Sequence, residues 1–413
     1  MKKFFCVIGI ILIIGTISLL IVLKLDNKKY DTYKITYNKK VIEVIKNIKK
    51  YNKYVKTTKE SILYDLDHKQ IGKINKDIEL ELDNYNIHNG KLYFKIKKLN
   101  YYILFDNNID KINNVTTNDR YKRYIPFNQN VITKGKTTLY NDKGYVYQIN
   151  QGINTPLIIK DKNKYYVSYN NNLYYVKKSE SSLKDKKNTN EKTRTNIRTF
   201  TYHAVFKPGE ECQNKAICHP YKQFNSHMKY LADNNYLTLT MEELEMFLDK
   251  KINIPIKTVV ITLDDGNLAK NAIEVLDKYK LYATYFIITG KYNSYKLKSN
   301  YVKFESHTDK LHNNYKCPGG EQGGQLLCEK EEVVLKDLKT SQQKLGGSHY
   351  LSYPFFDWNE RAIKLLKQSG FRLAFIGQWT TEGYSDYSTN RMMMRRKTIF
   401  STDSLDTFVS YLK

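Results

Sequence analysis

Acidic side chains are scarce beside basic ones: 42 Asp and Glu against 68 Lys and Arg leave a formal charge of +26 on 413 residues. The surplus is mostly Lys scattered among Tyr and Asn. No dense Arg cluster of the kind that grips phosphates in a groove is present, which argues against nucleic acid as a partner and leaves an anionic surface or polymer open. Apolar runs of membrane-spanning length are also lacking, with one exception, so a multi-span membrane protein is excluded. A hydrophobic content of 41% with 13% aromatics excludes a disordered polyampholyte. Cysteine is sparse, and close C-x-x-C pairs are missing, which counts against a four-thiolate metal site without excluding it.

The exception is Phe4 to Leu23, an uncharged and mainly aliphatic run preceded by Lys2 and Lys3. At about 1.5 Å per residue it spans a hydrocarbon core of about 30 Å. No small-residue cleavage site follows it, so the expectation is an uncleaved single-pass anchor within residues 1–30. A short tail with the bulk translocated is the usual outcome, which places the body outside the cytoplasm. Cys212 with Cys218 and Cys317 with Cys328 form two local couples in loop-like stretches, consistent with disulfides in an oxidising compartment. Four cysteines allow three connectivities, and spacing does not choose among them.

Residues 31–56 are Lys-rich, with Val41, Ile42, Val44, Ile45 and Ile48 at helical spacing, which predicts a stalk or a solvated spacer. From 57 to 176 the pattern turns to short runs rich in Tyr, Ile and Val broken by turns such as Asn89-Gly90, an all-β region. It repeats. Leu63-Tyr64, Ile74-Asn75 and Tyr101-Tyr102-Ile103 recur as Leu139-Tyr140, Ile149-Asn150 and Tyr174-Tyr175-Val176, which predicts two copies of a small barrel-like module. The segment resembles the SH3-like modules of bacterial surface proteins. Residues 177–196 hold almost no apolar side chain and read as a linker. Beyond them strands alternate with helices, including strand Thr258 to Leu263, helix Ala269 to Tyr279, helix Glu331 to Leu345 and helix Glu360 to Ser369. That order predicts a parallel, barrel-like α/β domain over 197–413.

The chemistry-bearing residues follow the strands. Val259 to Leu263 runs into Asp264-Asp265-Gly266, which puts two carboxylates at a strand's C-terminal end, where barrel active sites lie. Strand alternation would send them to different partners, one to a metal and one to a proton. His307 and His312 lie in a polar loop after the next strand. Two imidazoles and a carboxylate from another strand make up a facial metal site with open positions. Leu351-Ser352-Tyr353-Pro354-Phe355-Phe356 ends a further strand in aromatics suited to walling a pocket and presenting backbone N–H groups.

In this order the motifs resemble the polysaccharide deacetylases of the NodB type (carbohydrate esterase family four), in the branch that includes poly-N-acetylglucosamine deacetylases. Thr201-Tyr202-His203, Ala283-Thr284-Tyr285-Phe286, Gly370 to Phe375 and Arg395-Arg396 add to the likeness, which covers about residues 200–413. The resemblance implies a distorted (β/α) barrel in which Asp265, His307 and His312 hold a divalent metal, usually zinc, that acidifies a bound water. It makes Asp264 the general base and puts the backbone N–H of Phe355, beside Tyr353, at the oxyanion.

Two departures stand out. The commoner pattern takes its general acid from a late histidine, and there is no His after His349; the resemblance to the branch with the early Tyr-His motif implies His203 as the proton donor instead. The usual Arg before the proline strand is replaced by Ser352, which leaves Arg396 as the candidate for orienting Asp264. The expectation is a membrane-anchored metal-dependent N-deacetylase of cell-wall glycan, peptidoglycan first, whose product amines would hinder lysozyme. Secreted poly-N-acetylglucosamine is the second substrate. A catalytically silent wall-glycan-binding protein is the reading from another class.

Overall fold

The computed structural model describes residues 53–89, 91–105, 108–116, 119–186, 192–212, 214–377 and 382–413. The expected anchor Phe4 to Leu23 and nearly all of the expected stalk lie outside these residues. No helix among the described residues is long and apolar enough to cross a membrane. The chain divides into two compact units, one ending at Thr189 and the other comprising Lys122–Ile125 with Asn190–Lys413.

The first unit is built on β-strands, with one turn of 3-10 helix at Lys178–Glu180. One copy of the repeat supplies β1 (Tyr54–Thr57), β2 (Ser61–Tyr64), β3 (Gln70–Ile74), β4 (Glu79–His88), β5 (Lys91–Ile96), β6 (Tyr102–Leu104) and β7 (Ile109–Lys111). The other supplies β8 (Gln129–Ile132), β9 (Thr137–Asn141), β10 (Gly144–Ile149), β11 (Asn154–Lys160), β12 (Lys164–Tyr169), β13 (Asn172–Lys177) and β14 (Ser182–Asp185). The fourteen strands form one path, β14-β8-β11-β12-β13-β9-β10-β3-β2-β6-β5-β4-β1-β7. Each copy contributes the same order, reversed about the β10–β3 contact. That contact pairs Ile74 with Tyr147, Lys73 with Gln148 and Gly72 with Ile149. Lys73 and Gln148 are equivalent positions of the two copies, so a pseudo-two-fold passes between them. The flanking hydrogen bonds obey it: Asn75 N–H donates to Val146 O (3.0 Å), and its equivalent Asn150 N–H donates to Ile71 O (2.7 Å). Alternating buried positions from both copies, among them Leu63, Phe94, Ile103, Leu139, Val167 and Val176, make one continuous core.

Two expected boundaries move. β1 starts within the expected stalk, where Val55 is buried in the core and Lys56 faces out. β14 lies within the expected linker and pairs with β8 from Ser182↔Ile132 to Asp185↔Gln129. One apolar side chain, Leu183, packs against the core there, and the backbone ladder does the rest. An edge strand of this kind leaves little hydrophobic pattern to read.

In the second unit the strands are β15 (Asn196–Tyr202), β16 (Val205–Phe206), β17 (His219–Pro220), β18 (Leu237–Thr238), β19 (Thr258–Leu263), β20 (Ala283–Ile287), β21 (Val302–Ser306), β22 (Tyr350–Ser352), β23 (Leu373–Phe375), β24 (Tyr384–Asp386) and β25 (Lys397–Thr398). The helices are α1 (Tyr221–Asp233), α2 (Met241–Leu248), α3 (Ala269–Tyr279), α4 (Glu331–Lys344), α5 (Glu360–Gln368) and α6 (Leu405–Ser410). β15, β19, β20, β21, β22 and β23 pair in parallel in that order. β19 and β20 are buried at every position, because helices cover one face and the barrel interior the other. β25 pairs in parallel with β15, and Met394 bridges to Phe375 on β23, so the segment 394–398 draws the two sheet edges together. The result is a curled α/β barrel whose strand C-termini converge.

Candidate active site

Four strands of the parallel sheet each deliver a residue at their C-terminal ends: His203 after β15, Asp264 after β19, His307 after β21 and Tyr353 after β22. Strand-end hydrogen bonds hold them in register: Asp264 N–H donates to Tyr202 O (3.0 Å), His307 N–H to Ile287 O (3.0 Å) and Tyr353 N–H to Phe375 O (3.1 Å). One pocket is lined by His203, Asp264, Asp265, His307, His312, Tyr353 and Phe355, together with Asn214, Gln322 and Tyr292.

Asp264 is 1% exposed and Arg396 fully buried. The guanidinium grips the carboxylate with both prongs, Nη1 to Oδ1 and Nη2 to Oδ2, each at 2.8 Å. Ser352 Oγ donates to Asp264 Oδ2 (2.9 Å) while accepting from Arg396 Nη2 (2.7 Å), and Arg396 Nη1 also donates to Thr201 Oγ1 (3.1 Å). Burial alone pushes the Asp264 carboxyl up. The Arg396 charge, helped by His307, the Arg396 hydrogen bonds and His203, outweighs it and holds the group below the ordinary carboxylate range. The arginine missing before the proline strand thus reaches the base from the far end of the domain, and Ser352 fits between the two.

Asp265 Oδ1 lies 3.5 Å from Nε2 of both His307 and His312, and one donor atom from each of the three residues lies within 4.8 Å of the others. His307 Nδ1 is 2.8 Å from Ser352 O, so its proton sits there and the Nε2 lone pair faces Asp265. A carboxylate and two imidazoles, one with its tautomer fixed from behind, fit a divalent cation and leave coordination positions open. Asp265 departs from the expected strand alternation. Its φ is +75° and that of Gly266 is +109°, so a left-handed turn, rather than the pleat, separates the two carboxylates. At Gly266 a Cβ would stand 2.6 Å from Ile287 Cγ1. Burial and then the His307 charge push His312 down to about 4. His307 moves up despite its burial because Asp265 and Asp264 face it.

His203 is 7% exposed, and its Nδ1 finds no hydrogen-bond partner among the described residues. Burial, the largest influence, lowers its pKa, against the opposing pull of Asp265 and Asp264. Phe355 and Phe356, in the turn after β22, both sit at positive φ (+60° and +64°), a conformation that bulky residues rarely adopt and that clusters at functional sites. Both disulfides are local: Cys212–Cys218 borders the pocket, and Cys317–Cys328 brackets the loop carrying Gln322. Trp358 packs against the core beside α5, and Trp379 lies outside the described residues.

Two supporting carboxylates escape a reading by sequence. Asp337 on α4 accepts from Asp309 N–H (2.8 Å) and Lys310 N–H (2.7 Å), pinning the loop between the two histidines. Asp357 accepts from the N–H groups of Glu321, Gln322 and Gly324. A lone Asp on a helix or after a turn gives no pattern that separates it from a solvated one.

The polysaccharide deacetylase family model matches residues 251–374. A Staphylococcus aureus poly-beta-1,6-N-acetyl-D-glucosamine N-deacetylase is 28% identical over 222 residues, covering 48% of this chain and 73% of its own. The Bacillus subtilis protein YxkH, which carries the polysaccharide deacetylase description, is 30% identical over 207 residues, covering 47% and 70%. Among solved structures, a Streptococcus pyogenes deacetylase, PplD, in complex with acetate shares 20% identity and a TM-score of 0.43 over 53% of this chain and 98% of its own.

Proposed function

The chain belongs to the polysaccharide deacetylase family, and on that premise we propose that it removes acetyl groups from poly-N-acetylglucosamine in a metal-dependent hydrolysis. The observation that carries the reaction is the juxtaposition in one pocket of the Asp265, His307 and His312 donor set with a base locked by Arg396. For the substrate, support comes from the relatives that carry the poly-N-acetylglucosamine name. The sequence expectation of peptidoglycan first, with lysozyme resistance, therefore gives way to its alternative.

A divalent cation, zinc being one that carboxylate and imidazole donors suit, would be held by Asp265, His307 and His312 and would supply Lewis-acid polarisation and an acidified water. The chain does the rest. Asp264, ionised and aimed by Arg396, takes the proton as water attacks the acetamide carbonyl carbon. The backbone N–H of Phe355 is proposed to face the developing oxyanion, with Tyr353 closing the wall behind it. His203 takes a proton from solvent and passes it to the leaving nitrogen as the C–N bond breaks to acetate and a free amine, and Asp264 returns the proton it took from water to solvent. The single-pass anchor at Phe4 to Leu23, an extracytoplasmic body and SH3-like repeats facing the envelope complete the proposal.

The test is acetate release by the zinc-loaded full chain from poly-β-1,6-N-acetylglucosamine and from peptidoglycan, beside Asp264→Asn. Release from the first, reduced about 10²- to 10⁴-fold in the variant, is expected. Release from peptidoglycan alone would overturn the substrate, and none from either would favour the binding-protein reading.

A further inference from the structure

The loop closed by Cys317–Cys328 follows the metal-site histidines directly and carries Gln322 to the pocket. Its conformation is fixed by a single buried carboxylate. Asp357, 4% exposed, accepts at Oδ1 from Glu321 N–H (2.8 Å) and Gln322 N–H (3.3 Å), and at Oδ2 from Gln322 N–H (3.2 Å) and Gly324 N–H (2.8 Å). Charge-assisted bonds of this kind are roughly twice as strong as neutral ones. The loop backbone closes on the carboxylate so tightly that a Cβ at residue 320 would stand 2.6 Å from Asp357 Cγ, which explains Gly320. Asp357 also ends the turn Pro354–Phe356, two residues after Phe355. The Asp357 side chain thus holds the Gln322 wall of the pocket, while its backbone N–H, donating to Pro354 O (3.1 Å), closes the turn that carries Phe355.

Resting on the deacetylase reading of that pocket, we infer that Gln322 is a specificity-determining residue for the acetamido-bearing sugar and that Asp357 is its positioning residue. A carboxamide offers one acceptor and two donors. That set matches the N–H and C=O of an acetamido group, whereas a free ammonium lacks the carbonyl. Asp357 touches no substrate. It sets where the Gln322 amide stands by holding the Gln322 backbone N–H from behind.

The test is titration calorimetry of a β-1,6-linked N-acetylglucosamine pentasaccharide into the zinc-loaded full chain, Gln322→Ala, Asp357→Asn and the double variant, with acetate followed in the same samples and thermal midpoints as a folding control. Gln322→Ala should raise Kd by about 2- to 12-fold, the range of one hydrogen bond, and raise KM by a larger factor than it lowers kcat. Asp357→Asn should do the same, and the double variant should be no worse than the weaker-binding single one, because both changes remove one interaction. Unchanged binding by Gln322→Ala overturns the inference, and so does a double variant equal to the product of the singles. Binding without acetate release would sink the deacetylase reading while leaving the Gln322 comparison intact.

Discussion

Replacing Arg396 with Met keeps a long side chain in the barrel and removes the cation that grips Asp264 with two prongs. Both groups are essentially inaccessible, so the loss leaves a buried carboxylate without its partner, at a cost of about 3–5 kcal/mol. For a domain of about 150–250 residues each kcal/mol lowers the melting midpoint by about 2–4 °C, so a fall of about 6–20 °C is expected near neutral pH. The sign with pH follows from the carboxyl. In the native protein its pKa is depressed, so the pair contributes stability above the ordinary carboxylate range, and that contribution is lost as pH falls through the folded value. In the variant, burial, the largest influence, is no longer opposed by Arg396, and the carboxyl moves up. The deficit in melting midpoint should therefore be greatest at neutral pH and shrink as acid protonates Asp264. The acid limb of the kcat/KM profile for acetate release should move to higher pH, each unit meaning about tenfold less activity below it. Arg396→Lys restores charge without the fork and should recover only part of the midpoint. A deficit that stays flat from pH 8 down to about pH 3, a span that includes the ordinary Asp titration near 3.9, with an unmoved acid limb would refute the reasoning.

Asp337→Asn should weaken zinc in competition with a chelator, by less than the about 10- to 100-fold that follows loss of a direct partner of a metal ligand, because the loop between His307 and His312 loses part of its anchor. An unchanged zinc Kd would contradict that role. Gly72→Ala should loosen the join between the two repeats, since its Cβ would stand 2.1 Å from Gln148 O. Faster amide exchange at Asn75 and Asn150 together is the expected signature, and full protection of both would count against it.

The elements most legible in the sequence were those with long internal patterns. The apolar run Thr258–Leu263 is β19, and the helical spacing over Ala269–Tyr279 is α3, residue for residue. The β repeat was visible from recurring Tyr, Leu and Ile-Asn positions, but its two-fold join was not, because antiparallel pairing of equivalent strands leaves no mark on spacing. The helix Met241–Leu248 went unread although Thr240 and Glu243 form a capping box, a signal that was there to use. At the site, Asp264, Asp265, His307 and His312 could be singled out because strand ends concentrate them. The Asp264–Arg396 contact spans 132 positions and rests on no periodicity. The left-handed turn at Asp265 was hidden for another reason: Asp tolerates positive φ without announcing it as Gly does.

The join at Lys73 and Gln148 has a consequence for how such a chain assembles. Equivalent strands meeting about a two-fold is the isologous contact that two separate molecules of a single repeat would make, so the tandem is a homodimer that happens to be covalently connected. Each copy on its own would bare β3 or β10 as an edge, a template for another chain. If one copy opens while the other stays folded, the exposed edge is complementary to its counterpart on a neighbouring molecule. Exchange of repeats between chains is then the specific route by which these proteins would link to one another.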